Sequence, residues 1–262
     1  MHLGYAYELD NSVLAVEALG LCAVNYDFLH KYLDNPLSTP ALNPSSSILD
    51  IFARIGDDPR FDGLSTHPGS GKIEVLFEKH EDAVLEYWNS WEIEDLGQQF
   101  EESMDAAILL LTTTHRMSYP THDTLLARVL TTCHALRILL PIIPAEWQIP
   151  LVMEWWLFSV VVYITQFRPK VNESYIRDYD VKGRGWKWVT DKAIKGQYSK
   201  DMQFVTGEST CSQPWLFVFM HSRRRRPLAI RAMREASMLW GEKDGWYLKA
   251  AVKFADDFTG WT

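Results

Sequence analysis

The spacing of apolar residues predicts a chain built from helices. From Ser12 to Leu33, apolar residues recur at alternating steps of four and three, which places them on one helical face. These residues are Ala15, Leu19, Cys22, Tyr26, Leu29 and Leu33. A second strong pattern begins at His122 and lasts until Pro141 and Pro144 end the helix. Its apolar members are Leu126, Val129, Cys133, Leu136 and Leu140.

Other segments also have helical spacing. They are Ile73 to Glu94, Leu96 to His115, Pro227 to Trp240, and Asp244 to Phe258. The most apolar stretch, Trp147 to Phe167, is interrupted by Gln148, Pro150 and Glu154. Its uninterrupted apolar run is therefore shorter than the roughly 20 residues that span a bilayer. We predict a buried helix here, and no membrane partner.

Segments rich in proline and glycine separate these helices. Asp34 to Ser47 and Asp57 to Lys72 contain residues that end regular structure, and Val181 to Trp188 has the composition of a turn-rich connection. Strand-like alternation and internal repeats are absent from the pattern. We therefore predict an all-α fold, a multi-helix bundle with long Pro/Gly-rich loops, as a single domain over residues 1–262.

Charge and cysteine content narrow the class of protein. Lys and Arg number 26 and Asp and Glu number 34, so the formal net charge of −8 disfavours general nucleic-acid binding. Cys22, Cys133 and Cys211 are odd in number and far apart, which favours reduced thiols inside the cell. The first residues lack the basic and apolar regions of a secretory signal. We predict a cytoplasmic protein.

Several familiar motifs are incomplete. Gly69 to Lys72 lacks the flanking residues of a phosphate-binding P-loop, and His80 has Val84 where a zinc-protease helix needs a second histidine. Neither a nucleophile elbow nor a dinucleotide-binding glycine turn occurs. The basic run Arg223 to Arg226 fits either a solvated segment before a helix, which we favour, or a contact with nucleic acid, an importin or an acidic cofactor.

Histidines and tryptophans have both structural and functional interpretations. His122 and His134 lie twelve residues apart, about 120° around a helix, so they are not expected to chelate one metal ion. Four tryptophans are suited to a stacking pocket for a flat ligand, but ordinary core packing is favoured at their spacings. They are Trp155, Trp156, Trp186 and Trp188.

The chain resembles a known family at short motifs that occur in the same order. The motif His2-Leu3-Gly4-Tyr5-Ala6, followed by the apolar segment Val13 to Leu33, is similar to the opening of questin oxidase-like proteins. Further similar segments are Thr121-His122-Asp123, Tyr163 to Pro169, Ile230-Arg231-Ala232, Ala250-Ala251 and Gly260-Trp261. The resemblance covers most of the chain.

The resemblance implies an oxidoreductase that opens the ring of a small aromatic polyketide in fungal secondary metabolism. The reaction would be a Baeyer–Villiger-like, NADPH-dependent monooxygenation or an oxygenation at non-haem iron. Iron or NADPH is thus the implied cofactor, unless the chain uses none. The catalytic residues implied are His2 and Tyr5, and the metal ligands implied are His2, His122 and His221.

Departures from the family pattern support an alternative. Asn25 and Arg128 stand where the family has histidines, and a later His-containing pattern becomes Arg225, Leu228 and Arg231. Arginine stays charged and repels a cation, so it does not replace an imidazole ligand. Family members also carry a His-containing region before the motif, so we expect this chain to be the C-terminal part of a family protein.

The alternative is a catalytically inactive, truncated helical relative. Such a chain would bind a small aromatic molecule or act as a protein-interaction module. Loss of helices from a bundle uncovers apolar faces, so we also expect a truncated chain to associate. The sequence does not fix the oligomeric state.

Overall fold

The computed structural model describes residues 1–24, 29, 31–32, 41, 43–64, 72–113, 121–198 and 228–261. In these residues every regular element is a helix, and the only β-type pairings are two isolated bridges, Ser45 with Trp91 and His122 with Trp261. The predicted all-α fold is confirmed.

The helices are numbered in chain order. They are α1 (His2–Glu8), α2 (Ser12–Val24), α3 (Ile48–Asp57), α4 (Ile73–Asn89), α5 (Leu96–Thr113), α6 (Thr124–Leu139), α7 (Ala145–Thr165), α8 (Ser174–Arg177), α9 (Trp186–Lys195), α10 (Leu228–Trp240) and α11 (Trp246–Asp257). A short 3-10 helix, Pro59–Phe61, follows α3.

The chain forms two compact units. Unit 1 consists of residues 1–107 and 132–170, and unit 2 consists of residues 108–131 and 171–262. Helices α5 and α6 each contribute to both units, so neither unit is a continuous piece of chain. The expectation of one domain over 1–262 stays a prediction.

Three differences from the predicted helices are informative. The His-Leu-Gly-Tyr motif is itself helical, because it forms α1, whereas the pattern placed it before a helix. Helix α3 was not predicted, although Ser47 caps it by accepting a hydrogen bond from the backbone N–H of Asp50 at 3.5 Å. Helix α9 begins at Trp186, inside the predicted turn-rich connection. All three helices have ten residues or fewer, which is too short for a clear periodic signal.

The apolar face predicted for α2 is wrong at Leu19 and Cys22. Leu19 is 56% exposed and Cys22 is exposed, whereas Leu14 and Ala18 are buried. The helix is apolar on nearly all sides, so its sequence spacing alone does not identify the side that packs. Of the remaining members of the predicted face, Ala15 and Leu29 are half-buried, and Tyr26 and Leu33 lie outside the described residues.

Helix α7 is the central helix of unit 1 and confirms the predicted buried helix. Among the described residues it is the one helix long and apolar enough to cross a membrane, and 61% of its most apolar window is buried. Trp156, which is fully buried, packs against Phe52 with ring centroids 5.1 Å apart. Its indole N–H donates to the carbonyl oxygen of Trp88 at 3.2 Å, so this tryptophan joins α7 to α4.

A charged cluster joins the end of α3 to α4 and to the end of α7. Asp58 is buried and accepts hydrogen bonds from the Arg60 side chain and from the Tyr87 hydroxyl at 2.8 Å. Burial acts to raise the pKa of Asp58, but these hydrogen bonds outweigh it and hold the pKa below its usual value. Arg168 donates to the carbonyl oxygen of Asp58 at 2.6 Å and pairs with Asp62 at 2.5 Å.

Candidate functional site

Helix α1 contacts α6 through a glycine. A Cβ atom added to Gly4 would lie 2.7 Å from both the Cβ and the carbonyl oxygen of Ala135. Only a residue without a side chain allows the two helix backbones to come this close. The glycine of the His-Leu-Gly-Tyr motif therefore determines how closely α1 packs against α6.

This close approach brings three polar side chains together. Tyr5 on α1 has its ring centroid 5.8 Å from that of His134, which is on α6 beside Ala135. Glu8, one turn after Tyr5, places its Oε1 atom 3.5 Å from Nε2 of His134. A phenol, an imidazole and a carboxylate are groups that transfer or hold protons. We call Tyr5, Glu8 and His134 the motif cluster.

The motif cluster is withdrawn from water. Tyr5 is 3% exposed, the His134 side chain is 0% exposed and the Glu8 side chain is 12% exposed. Burying ionisable groups costs free energy unless they are paired, and such groups concentrate at functional sites. Next to His134, burial raises the pKa of the Cys133 thiol well above its usual value, so this cysteine is not a reactive thiolate.

The predicted metal ligands lie only partly within the described residues. In that part of the chain, no three His, Cys, Asp or Glu side chains are grouped closely enough to hold an ion. His2 is half-buried on α1 in unit 1, His122 belongs to unit 2, and His221 lies outside the described residues. The ligand set of His2, His122 and His221 therefore stays a prediction.

His122 is enclosed by aromatic rings of unit 2. It is 2% exposed, and its ring centroid lies 4.9 Å from Phe254 and 5.7 Å from Phe258. Its backbone N–H donates to the carbonyl oxygen of Gly260 at 2.9 Å. The adjacent Asp123 caps α6 by accepting from the N–H groups of Leu125 and Leu126, and burial raises its pKa. These contacts give His122 and Asp123 structural roles.

The tryptophans suggested for a stacking pocket have packing roles. Trp155 and Trp156 are buried in the core of unit 1, as the favoured interpretation predicted. In unit 2, the indole N–H of Trp186 donates to Glu242 Oε1 at 2.5 Å. Trp188 has Arg184 and Lys192 over its ring, at 4.6 Å and 4.9 Å from the centroid.

A small cavity in unit 1 does not suit a polycyclic ligand. Its volume is about 80 Å³, whereas pockets for such ligands are roughly 300–1,000 Å³. The cavity lies beside Phe61, Leu76, Phe167 and Arg168, and none of the motif-cluster residues lines it. Arg168 is already bound to Asp62 and to backbone carbonyl groups.

Sequence reasoning singled out Tyr5 but missed Glu8 and His134. Two signals were available. The first is the three-residue step from Tyr5 to Glu8, which puts both on one side of a helix. The second is the position of His134 one turn after Leu130, a fully buried residue of the same helix.

Comparison with known proteins gives one match. A family model described as questin oxidase-like matches residues 1–206, a span that contains α1, α6 and all of the motif cluster. Neither a curated protein nor a solved structure matches the chain.

Proposed function

The chain belongs to the questin oxidase-like family, and on that premise we propose that it is an oxidoreductase that oxidatively cleaves a ring of an aromatic polyketide. Membership of the family indicates an oxidoreductase-type function. The substrate class, a small anthraquinone-type molecule, and the Baeyer–Villiger-like form of the reaction are the parts that we add.

The motif cluster is the observation that carries this proposal. The family motif supplies Tyr5, and Gly4 of the same motif allows α1 to approach α6 closely enough to place that phenol beside His134 and Glu8. A motif that served only to start a helix would not require a buried phenol, imidazole and carboxylate in contact. Their burial supports a role in chemistry.

The overall reaction balances with dioxygen and a two-electron donor. One oxygen atom enters the bond between a ring carbonyl carbon and its neighbour to form a cyclic ester, and the donor's two electrons with two protons convert the other oxygen atom to water. Water then hydrolyses the ester to a carboxylic acid and a phenol, which opens the ring.

Attack of dioxygen reduced to the peroxide level on the ring carbonyl carbon places negative charge on the carbonyl oxygen. Tyr5 is 3% exposed, so the substrate can reach its hydroxyl only if the packing around α1 opens on binding. A hydrogen bond from the Tyr5 phenol to that oxygen would then stabilise this charge in a site that excludes water.

The described residues provide a binding site neither for iron nor for NADPH, the two cofactors that the family resemblance implies. An iron site needs several imidazole or carboxylate ligands around an open position, and the described residues contain no such group. A dinucleotide-binding βαβ unit is also absent from them, because they contain no strand. We therefore derive no step through either cofactor, and treat reduced nicotinamide as an electron donor whose binding residues are not assigned.

An oxygen-uptake assay with an anthraquinone and NADPH tests the proposal. We expect uptake that requires both compounds and that falls about 100-fold or more in Tyr5→Phe, since one proton donor is worth that much in general acid catalysis. Tyr7→Phe is the matched control, because Tyr7 lies on the same helix but is 50% exposed. Equal rates in the wild type and in Tyr5→Phe would exclude Tyr5 from the reaction.

One observation favours the non-catalytic alternative as a second candidate. Helix α2 exposes Val13, Val16, Leu19 and Val24, and exposed apolar surface is typical of interaction sites. A chain of this kind would act as a protein-interaction module, or would bind an anthraquinone without turnover. Saturable quenching of tryptophan fluorescence by the anthraquinone, together with zero oxygen uptake, would identify this alternative.

A further inference from the structure

The small cavity at the end of α7 has an apolar interior and a cationic rim. Its apolar lining side chains are Phe61, Leu64, Val75, Leu76, Ile164 and Phe167. Of these, Phe61, Leu76 and Ile164 are at most 3% exposed. Lys72 and Arg168 line the same cavity, and Lys72 is exposed to solvent. A molecule that fills the cavity therefore meets apolar surface at its inner end and positive charge at its outer end.

The charge of Lys72 is not neutralised within the described residues. No carboxylate in that part of the chain pairs with its ammonium group, and no acidic residue lines the cavity. Arg168 pairs with Asp62, but its hydrogen bonds use only Nη1 and Nη2, so its Nε–H has no acceptor in the described chain. The rim thus offers an uncompensated cation and a guanidinium N–H, both of which favour an anionic group.

The wall formed by Phe167 and Arg168 has a strained backbone. Their φ angles are 66° and 48°, in a region that residues other than glycine rarely adopt. Arg168 holds this turn against the end of α3, because its Nη1 donates to the carbonyl oxygens of Ile55, Gly56 and Asp58. Backbone strain of this kind persists only where the surrounding structure maintains it, and it concentrates at functional sites such as ligand clamps.

The volume of the cavity limits the length of the ligand. A cavity of about 150 Å³ holds one benzene molecule, and this cavity has a volume of about 80 Å³. It therefore has room for an alkyl tail of about three carbons, with a polar head group at the rim.

We propose that this cavity binds a short-chain aliphatic monocarboxylate of the size of butyrate, with the carboxylate at Lys72 and Arg168 and the alkyl tail beside Leu76 and Ile164. This inference goes beyond the proposed function and does not depend on it, because no residue of the motif cluster lines the cavity.

Other occupants fit the lining less well. Phosphate or sulfate would place oxygen atoms against apolar walls without hydrogen-bond donors, which costs free energy. Water needs two to four polar partners, and the hydroxyl of the lining residue Thr165 already donates to the carbonyl oxygens of Val161 and Val162. An alkylamine has a suitable tail, but its positive charge is repelled by Lys72.

Methyl NMR detects the binding and locates it in the cavity. Protein labelled with ¹³C at the isoleucine δ methyl groups is titrated with butyrate at constant ionic strength, and Ile164→Val identifies the Ile164 signal by its loss. We expect a saturable shift of this signal, with a Kd on the order of 1 mM for a ligand of so few atoms. Butylamine, which has the opposite charge, and acetate, which has almost no tail, should give much smaller shifts at the same concentration.

Two variants test the two ends of the site. Lys72→Gln removes the charge at the rim and should weaken butyrate binding about 5-fold, the upper end for a partly exposed ion pair. Lys79→Gln is the matched control, because Lys79 is an exposed lysine of α4 that does not line the cavity. Val75→Phe places a larger side chain in the cavity and should abolish the shift of Ile164. Melting temperatures show whether each variant is folded.

The outcomes decide between this site and other modes of binding. A wild type without a saturable shift far above the expected Kd would overturn the inference. Equal affinity for butyrate and butylamine, or unchanged affinity in Lys72→Gln, would overturn the assignment to a carboxylate. A shift that persists in folded Val75→Phe would place the ligand outside the cavity. Lys72 is exposed, so Lys72→Gln decides the matter even if Val75→Phe does not fold. Oxygen uptake is not measured, so failure here leaves the proposed function intact.

Discussion

Gly4 of α1 lies against the backbone of Ala135 on α6, so closely that a Cβ on the glycine would be 2.7 Å from the alanine carbonyl oxygen. Tyr5 follows Gly4 in the sequence, and His134 precedes Ala135. The ring centroids of Tyr5 and His134 lie 5.8 Å apart. The motif cluster in unit 1 therefore depends on a contact between Gly4 and Ala135, neither of which belongs to the cluster. Substitution of the glycine tests this dependence directly.

Gly4→Ala is expected to destabilise unit 1 and to disturb the motif cluster. The added methyl group would contact backbone atoms that cannot rotate away, so the helices must separate. Overpacking of this kind costs about 1–3 kcal/mol. Chemical denaturation measures the free energy of unfolding, and the ring signals of His134 report the disturbance.

Gly20→Ala is the matched control for this substitution. It changes a glycine of the next helix, around which no atom lies within 4 Å of the added Cβ. Alanine is the better helix former by about 0.5–1 kcal/mol, so this variant should be slightly more stable than the wild type. Equal destabilisation by both substitutions would contradict the close contact of Gly4 with Ala135.

Asp58 is expected to make the protein sensitive to acid. Hydrogen bonds from Arg60 and Tyr87 hold its pKa below the usual value of 3.8, although burial acts in the other direction. A carboxylate with a lowered pKa stabilises the fold above its unfolded pKa, and this contribution is lost as the pH falls through its folded pKa. Melting temperatures between neutral pH and strongly acidic pH should therefore fall more steeply in the wild type than in Asp58→Asn. Parallel curves for the two proteins would show that Asp58 contributes no pH-dependent stability.

Arg168 is expected to contribute more to the free energy of unfolding than an exposed arginine does. Its side chain is 13% exposed, pairs with Asp62 and donates to the carbonyl oxygen of Asp58. Hydrogen bonds from a charged group contribute about 1.5–3 kcal/mol, so Arg168→Ala should lower the free energy of unfolding by about that amount. The control, Arg177→Ala, removes an exposed helical ion pair with Glu173 and should cost about 0.3–0.5 kcal/mol. If Arg168→Ala lowers the free energy of unfolding as little as Arg177→Ala does, Arg168 does not have this structural role.

Iron content tests whether His2 is a metal ligand. If His2, His122 and His221 hold an iron ion, His2→Ala should lower the iron content of protein purified without chelator to a small fraction of that of the wild type, and equal iron content in both proteins would exclude His2 as a ligand. Elemental analysis by plasma mass spectrometry measures this directly. Near-stoichiometric iron in the wild type that is lost in His2→Ala would establish the metal site that the family resemblance implied.

The sequence predicted the long helices well because each has many turns over which an apolar pattern can repeat. Helix α6, for example, keeps Leu126, Val129 and Cys133 buried, as its spacing predicted. The short helix α1 has no such repeat, and so the motif was placed outside a helix. The buried side of α2 was also missed, because a helix that is apolar on nearly every side gives no directional signal.

The candidate site was predicted only where a motif names its residues. Tyr5 is part of the motif, but its partner His134 is 129 positions further along the chain (134 − 5) and has no motif of its own. Only the packing of α1 on α6 brings the two together. Glu8 required the same information, since an acidic residue near a helix end is usually explained by solvent exposure.

Isotope-labelled oxygen provides the most direct test that the chain is a ring-cleaving oxidoreductase served by Tyr5. The purified protein is incubated with an anthraquinone, NADPH and ¹⁸O₂, and the products are analysed by mass spectrometry, with Tyr5→Phe and Tyr7→Phe in parallel. We predict a ring-cleaved product carrying one ¹⁸O atom from the wild type and from Tyr7→Phe, and almost none from Tyr5→Phe. Recovery of the intact anthraquinone without ¹⁸O from the wild type would contradict the proposed function.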